Sequence, residues 1–364
     1  MEHQVLYRKY RPKSFSDLFG QAHVIKTLLN ALKYDKVAHA YLFTGPRGTG
    51  KTTIARLLAK AVNCQKLKNA EPDNKCPACM QINEGKAMDL IEIDAASNRG
   101  IDEIRQLREG VKFSPGFLKY KVFIIDEVHQ LTKEAFNALL KTLEEPPAHA
   151  IFILATTEIH KVPQTIISRC QRFDFKKLTL KNIVEKLSHI AKLEKIKIDK
   201  PALDLIAQSS DGALRDAESL LGQVIALEDK NITAEEVQTI LGIVSVEAVI
   251  ELADDLLKAE TAKAIRLINK LVDEGYDLVE FSKSAVIWLR KMLILKVDEK
   301  LIDVVGRDLT DEQKETILSQ GKLVNDIWLI KAINSIGMAG NEAKSSVLPQ
   351  LPFELSFVEL SEKL

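Results

Sequence analysis

The chain has 364 residues, too many for one compact core, and that length predicts two or three domains. Hydrophobic residues make up 46% and charged residues 28%, with Lys plus Arg equal to Asp plus Glu at 51 each. This composition excludes a disordered chain and a surface coated in positive charge, so any nucleic-acid contact is confined to a local basic patch.

The N-terminus, MEHQVLYRKYRPKSF, is charged where a signal peptide requires an apolar core, and no uncharged apolar run is long enough to span a bilayer. The expectation is a cytoplasmic protein without a membrane partner. Its four cysteines then point to reduced or metal-bound thiols rather than disulfides.

Residues 7–15 mix aromatic, basic and proline residues and predict an extended segment on the core. Tyr7, Arg8 and Pro12 either wall a nucleotide's base or serve only as structure. Residues 17–32 carry Leu18, Val24, Ile25, Leu28, Leu29 and Leu32 at roughly helical spacing. Residues 45–52, GPRGTGKT, then fit GxxxxGK[ST] without a mismatch, between an apolar run at 40–43 and a helical pattern at 53–62. Strand, glycine loop and helix N-terminus in that order make a phosphate-binding loop, because the glycines let backbone N–H groups close on the anion. In that reading Lys51 reaches the β- and γ-phosphates and the Thr52 hydroxyl ligates Mg²⁺.

Cys64 precedes the knuckle Cys76-Pro-Ala-Cys79, a spacing suited to zinc or to three unligated thiols. No His lies between Cys64 and Cys79, so a fourth ligand is Asp73, another oxygen donor, water or nothing. Residues 89–94 predict a strand and 101–111 a helix. Arg99, Arg105, Arg108 and Lys112 on or beside that helix form either a solvated face or a phosphate-tracking patch. Residues 121–126, KVFIID, predict a buried strand ending in Asp126, with Glu127 directly after it. Paired with the phosphate loop, Asp126 helps hold Mg²⁺ through its waters and Glu127 orients and deprotonates the attacking water.

Ala135, Phe136, Leu139, Leu140 and Leu143 repeat at helix spacing until Pro146-Pro147. Residues 151–155, IFILA, predict a further buried strand ending in Thr156-Thr157, where a polar side chain can touch the γ-phosphate or the water. Ser168-Arg169-Cys170 precedes a last strand at 171–175, and Arg169 is either a surface arginine or a finger that reaches a nucleotide. From Leu178 the strand signals cease. Residues 178–241 break into three helical stretches, the last opening in GALRDAESLL, where Arg215 either rides on a lid's inner face or is solvated. Beyond Gly242 come apolar stripes such as Val246, Val249, Ile250, Ala253, Leu256 and Leu257, which predict a domain for packing or oligomerisation or a self-contained helical bundle.

Taken together, LYRKYRP, HAYLFTGPRGTGKT, DLIEIDAASN, IIDEVH, FNALLKTLEEPP, FILATTE, ISRCQRF and GALRDAESLL resemble one family. It is the bacterial DNA polymerase III gamma/tau subunits, the AAA+ ATPases of replicative clamp loaders. The resemblance is strongest over residues 5–222. It implies an α/β P-loop AAA+ domain over 1–178, with a parallel five-stranded sheet flanked by helices and a zinc module at about 64–80. A small helical lid over 179–242 and an all-α collar over 243–364 follow. The nucleotide implied is ATP with Mg²⁺, held by Tyr7, Arg8, Arg11, Pro12, Gly45, Pro46, Arg47, Gly48, Thr49, Gly50, Lys51, Thr52, Thr53, Leu214 and Arg215.

The resemblance keeps Lys51, Asp126 and Glu127 in the roles read above. It makes Thr157 the first sensor, Arg215 the second, and Arg169 a finger that completes the site of an adjacent subunit. It also implies Zn²⁺ on Cys64, Cys76 and Cys79, with Asp73 standing where a further Cys is expected. A carboxylate is a harder donor than a thiolate, so the metal is held by Cys₃Asp, held weakly, or absent. The implied partners are other clamp-loader subunits and copies of the chain itself in a ring, a pentamer by expectation. A sliding clamp and primer-template DNA complete the set, with Arg99, Arg105 and Thr165 as DNA contacts, in the cytoplasm at the nucleoid. Two rival readings are a helicase or branch-migration motor of the same class, which would move strands without a clamp, and a nucleotide-locked scaffold, which has no need of Glu127.

Overall fold

The computed structural model describes residues 4–227, 231–242, 245–306 and 309–361. The first three residues of the charged N-terminal stretch, and 243–244, 307–308 and 362–364 of the helical region, lie outside the described residues. The chain separates into two compact units, Met1–Thr233 and Ala234–Leu364.

In chain order the first unit runs α1 (Leu6–Lys9), α2 (Ala22–Lys33), β1 (Ala40–Thr44), α3 (Lys51–Asn63), α4 (Pro77–Asn83), β2 (Leu90–Asp94) and α5 (Ile101–Val111). It continues with β3 (Lys121–Asp126), α6 (Lys133–Glu144), β4 (Ala150–Thr156), α7 (Gln164–Ile167) and β5 (Gln171–Asp174). The five strands form the expected parallel sheet, in the order β2-β3-β4-β1-β5. Every residue of β1 and β4 is buried because helices cover both faces, which is why these strands read as unbroken apolar runs. Alternation splits the side chains: Tyr41, Phe43, Ile124 and Ile153 fill one face with Leu58, and Leu42, Phe123, Phe152 and Leu154 fill the other with Leu139. All strands run the same way, so Thr44, Asp126 and Thr156 emerge along one edge, where a parallel sheet carries its crevice.

Three helices follow, α8 (Leu180–Glu194), α9 (Lys200–Ser209) and α10 (Leu214–Leu227). The short strands β6 (Lys197–Ile198) and β7 (Asn231–Ile232) pair in parallel in a region where no strand is expected. Two-residue strands leave no alternation to read. Residues 6–9 likewise coil into one helical turn where extended chain is expected. The helical span expected at 17–32 divides at Gln21, whose left-handed backbone (φ 52°) sets a 3-10 turn over Phe15–Asp17 apart from α2. A fourth helix, α11 (Ala234–Leu241), adds to the three expected before Gly242.

The second unit continues with α12 (Val246–Leu257), α13 (Thr261–Asp273), α14 (Leu278–Val297), α15 (Ile302–Val305), α16 (Asp311–Gly321), α17 (Asp326–Glu342) and α18 (Leu351–Ser361). Leu252, Ile268, Phe281, Met292, Leu329, Ile336, Phe353 and Phe357 are among the side chains of its core. Both tryptophans are buried there with their N–H satisfied: Trp288 donates to Gln320 Oε1 at 2.8 Å and Trp328 to the Leu360 carbonyl at 3.2 Å. Among the described residues no helix is long and apolar enough to cross a membrane.

Candidate nucleotide site

The loop from β1 to α3 is shaped by glycines at two contacts. A Cβ on Gly45 (φ 143°) would collide with the Phe175 carbonyl, and one on Gly48 (φ 74°) would sit 2.8 Å from Ala213 Cβ. Gly48 also accepts the Leu214 N–H at 3.1 Å, so the same glycine shapes the loop and lets the start of α10 dock on it. No side chain caps α3, which leaves its first N–H groups for an anion. Lys51, 6% exposed, folds over the loop and donates to the carbonyls of Gly45 (2.7 Å) and Pro46 (2.8 Å). Burial draws its pKa down, opposed by Glu127 and Asp126.

Thr52 Oγ1 donates to Asp126 Oδ2 at 2.7 Å. A hydroxyl and a carboxylate beside a phosphate loop are the hard oxygen donors that suit Mg²⁺. Glu127 stands next to them with a left-handed backbone (φ 48°), a conformation that costs a non-glycine residue energy and re-aims its side chain. Its Oε2 accepts from Thr157 Oγ1 at 2.9 Å.

One cavity collects most of the anticipated residues: Tyr7, Arg11, Pro12, Arg47, Gly48, Thr49, Gly50, Lys51, Thr52, Thr53, Asp126, Glu127, Leu214 and Arg215. Gly45 and Pro46, at the start of the loop, do not line the cavity but supply the carbonyls that hold Lys51. Arg8, expected beside the nucleotide, lines a neighbouring cleft with Lys13 and Arg56, since one step along a helix turns a side chain about 100°. Thr157 reaches the site only through Glu127. Arg169 does not line the cavity: its guanidinium pairs with Glu144 Oε1 (2.5 Å) and donates to the Thr165 carbonyl (2.8 Å). Thr165, Arg99 and Arg105 are exposed; Arg99 Nε donates to the Ala96 carbonyl (2.9 Å) and Arg105 pairs with Asp102 (3.2 Å). Cys170 is a half-buried thiol, pushed up to about 12 by desolvation, outside the cysteine cluster.

Sequence reading missed Leu18, Phe19, Gln21, Leu178, Lys186 and Glu218 in the cavity wall. Lys186 on α8 and Glu218 on α10 face each other at 3.8 Å with side chains 5% and 8% exposed. Burial lowers the lysine and raises the Glu218 carboxyl to about 7. The signal that would find them is a charge inside an apolar stripe: Lys186 lies among Ile183, Leu187 and Ile190, and Glu218 among Ala217 and Leu221.

The N-terminal segment straps this wall to the cysteine-bearing segment. At the lid end the Arg215 guanidinium lies 4.7 Å from the Tyr7 ring centroid, and its hydrogen bond lowers the phenol's pKa. Lys9 pairs with Glu194 (2.7 Å), and Lys186 Nζ donates to the Tyr10 carbonyl (3.0 Å). At the other end, buried Lys60 donates to the Lys13 carbonyl (2.6 Å), Asn74 Oδ1 (2.6 Å) and Asn83 Oδ1 (2.8 Å). The N–H groups of Phe15 and Ser16 each reach the Glu71 carboxylate at 2.8 Å.

Cys64, Asp73, Cys76 and Cys79 bring their four donor atoms within 4.8 Å of one another. That convergence fits a tetrahedral metal. Asp73 Oδ1 accepts the N–H groups of Lys75 and Cys76 at 3.1 Å, which holds its carboxyl far below the usual range, the Cys76 bond being the larger cause. Burial raises the Cys64 and Cys79 thiols, so the chain alone does not favour their thiolates.

A phosphate loop at the edge of a parallel sheet, an Asp-Glu pair across β4 from it and a helical lid docked on the loop define a P-loop ATPase domain of the AAA+ class. The chain belongs to the gamma/tau family of DNA polymerase III clamp-loader subunits. Family models match in series: "DNA polymerase III, delta subunit" over residues 20–179, "DNA polymerase III clamp loader subunit, ATPase lid domain" over 182–230, and "DNA polymerase III subunits gamma and tau domain III" over 232–326. DNA polymerase III subunit gamma of Buchnera aphidicola (subspecies Acyrthosiphon pisum) is 38% identical over 87% of this chain and 87% of its own length. Subunit tau of Bacillus subtilis is 44% identical over 100% of this chain, which spans 64% of that protein. Among solved structures, the Thermotoga maritima RuvB Holliday junction branch migration motor aligns with a TM-score of 0.49 and 21% identity, over 68% of this chain and 79% of its own.

Proposed function

We propose that the chain is an ATPase subunit that opens a sliding clamp and loads it on primer-template DNA, working in a ring with copies of itself and other clamp-loader subunits. The observation that carries the reading is the meeting of Lys51, Thr52, Asp126 and Glu127 at the mouth of one loop. The Lys51 ammonium leaves the loop carbonyls for the β- and γ-phosphates, while the N–H groups at the start of α3 take the remaining phosphate oxygens. Thr52 and, through water, Asp126 would hold magnesium, and the ion would neutralise charge on those phosphates. Glu127, steadied by Thr157, orients and deprotonates the attacking water, and Arg215 reports the phosphates to the lid.

Arg169, outside its own cavity, serves the site of a neighbouring subunit in trans. Such fingers contribute about 10³ to 10⁵ in rate in related P-loop enzymes. In a reconstituted ring with clamp and primed DNA, Arg169→Ala is expected to abolish most stimulated ATP turnover while leaving ATP binding intact. Normal turnover by the variant would remove the trans assignment. Arg99, Arg105 and the start of α7 at Thr165 meet DNA phosphates, and the protein works in the cytoplasm at the nucleoid. Zinc would be held by Cys64, Asp73, Cys76 and Cys79, whose donor atoms converge. Metal analysis of the purified chain tests this, and finding no zinc, with no rise in thermal stability on adding it, would take the metal out of the account.

A further inference from the structure

We infer that His129 is a positioning residue through which the loop after β4 sets the direction of the Glu127 carboxylate. The inference rests on the ATPase reading above. His129 lies in a 3-10 turn, Val128–Gln130, directly after Glu127, and its side chain is 4% exposed. Nothing in the hydrolysis scheme uses it, yet it is surrounded by groups that matter there. Its Nδ1 stands 3.0 Å from Thr156 Oγ1 and 3.4 Å from Glu127 Oε2, and its Nε2 stands 3.0 Å from Glu158 Oε2.

The charges around the ring favour one tautomer. A carboxylate 3.0 Å from Nε2 favours N–H on that nitrogen, and the Gln130 amide, whose nitrogen stands 3.0 Å from the same atom, then turns over to present its oxygen. Thr156 Oγ1, on a fully buried residue, accepts the Glu158 backbone N–H at 3.0 Å and, with Nδ1 bare in this tautomer, has its own proton free to donate there. In that tautomer Glu127 meets a ring nitrogen without a proton, and its hydrogen bond comes from Thr157 instead. The imidazole therefore works as a wedge that keeps the Glu127 carboxylate turned toward Thr157.

Glu158 holds the far side of the ring, and Lys161 (2.9 Å) and His160 (3.7 Å) hold Glu158. The loop that carries them runs straight into α7 and on to Arg169. Moving Glu158 turns or releases the ring, and a ring with its proton on Nδ1 would draw Glu127 off Thr157. A polar chain from Lys161 through Glu158 and His129 thus joins the segment bearing Arg169 to the water-activating carboxylate of the same chain.

The test measures ATP turnover and ATP affinity separately, in the assembled ring with clamp and primed DNA. It compares wild type, Glu127→Gln, His129→Ala, His129→Gln and Glu158→Gln. His129→Ala is expected to lower kcat by about 10- to 100-fold, the scale of a catalytic group displaced by an ångström, with ATP affinity within about twofold of wild type. His129→Gln, whose amide spans part of the same gap, restores some of the loss. Glu158→Gln lowers kcat in the same direction, and the double variant His129→Ala/Glu158→Gln is no worse than His129→Ala alone. Wild-type kcat in His129→Ala and Glu158→Gln overturns the inference, and so does a loss of affinity as large as the loss of kcat. If the wild-type ring does not turn over ATP, or Glu127→Gln does so at full rate, the ATPase reading falls and this inference with it.

Discussion

On the phosphate side of the cavity, Lys51, Thr52, Asp126 and Glu127 come from one loop and one strand end, both anchored in a sheet whose central strands are fully buried. On the lid side, Lys186, Arg215 and Glu218 come from two helices, held in place by ties to the N-terminal segment and to each other. The first wall is set by neighbours in sequence and fixed by the sheet's backbone hydrogen bonds. The second is set by side chains that meet across long stretches of chain. Substitutions on the first should change chemistry and leave the fold alone, whereas substitutions on the second should change stability and geometry together.

The sharpest way to break that contrast is Lys51→Ala. Its ammonium bonds only carbonyls of its own loop, so far-ultraviolet circular dichroism should stay unchanged. ATP turnover should fall about 10² to 10³-fold or more, the usual loss on removing a charge-stabilising donor, with ATP affinity reduced in calorimetry. A variant that loses its fold along with its activity would erase the distinction between the walls.

Glu218→Gln tests the lid side through pH. The Glu218 carboxyl is raised by burial from 4.5 to about 7, so its contribution to stability is full below the unfolded value and is lost as pH climbs through the folded one. Removing that titration should let the variant gain on wild type by about 1–3 kcal/mol between pH 5 and pH 8, read from urea unfolding. The attraction of Lys186 acts only on the ionised carboxylate and is already part of that raised value, so the change in the gap carries the prediction. A gap that does not vary with pH would mean that Glu218 is charged throughout.

The smallest effect belongs to Lys9→Ala. Its ion pair with Glu194 is 46% and 21% exposed, and pairs so open to solvent contribute little to stability. A melting-temperature change of more than a few degrees would show that the strap's lid end depends on this pair more than its exposure suggests.

How far each wall was legible in the sequence follows from the same contrast. The phosphate loop and the Asp-Glu strand end are contiguous motifs with a fixed backbone geometry, and the central strands β1, β3 and β4 announce themselves as apolar runs because both faces are covered, whereas the edge strands β2 and β5 mix polar and apolar residues. Lys186 and Glu218 carry no motif, since their pairing exists only once α8 and α10 have packed. Gln21 looks like an ordinary helix residue until its left-handed backbone ends the turn before α2. Asp73 stands in the sequence as one of several possible fourth ligands, because no His lies between Cys64 and Cys79, but its role in holding the Lys75 and Cys76 N–H groups needs coordinates. His129 sits in plain view beside Glu127, and only burial between two carboxylates marks it as more than a surface histidine.

The strap formed by residues 7–16 has a mechanical consequence. Ten residues of backbone wall the cavity with Tyr7, Arg11 and Pro12 while gripping Lys186 and Glu194 at one end and Lys60 and Glu71 at the other. Slack introduced at Glu71 or Lys60 is passed along this cord to the cavity. Damage to the cysteine-bearing segment would then surface as poor nucleotide grip, although that segment lines no part of the cavity.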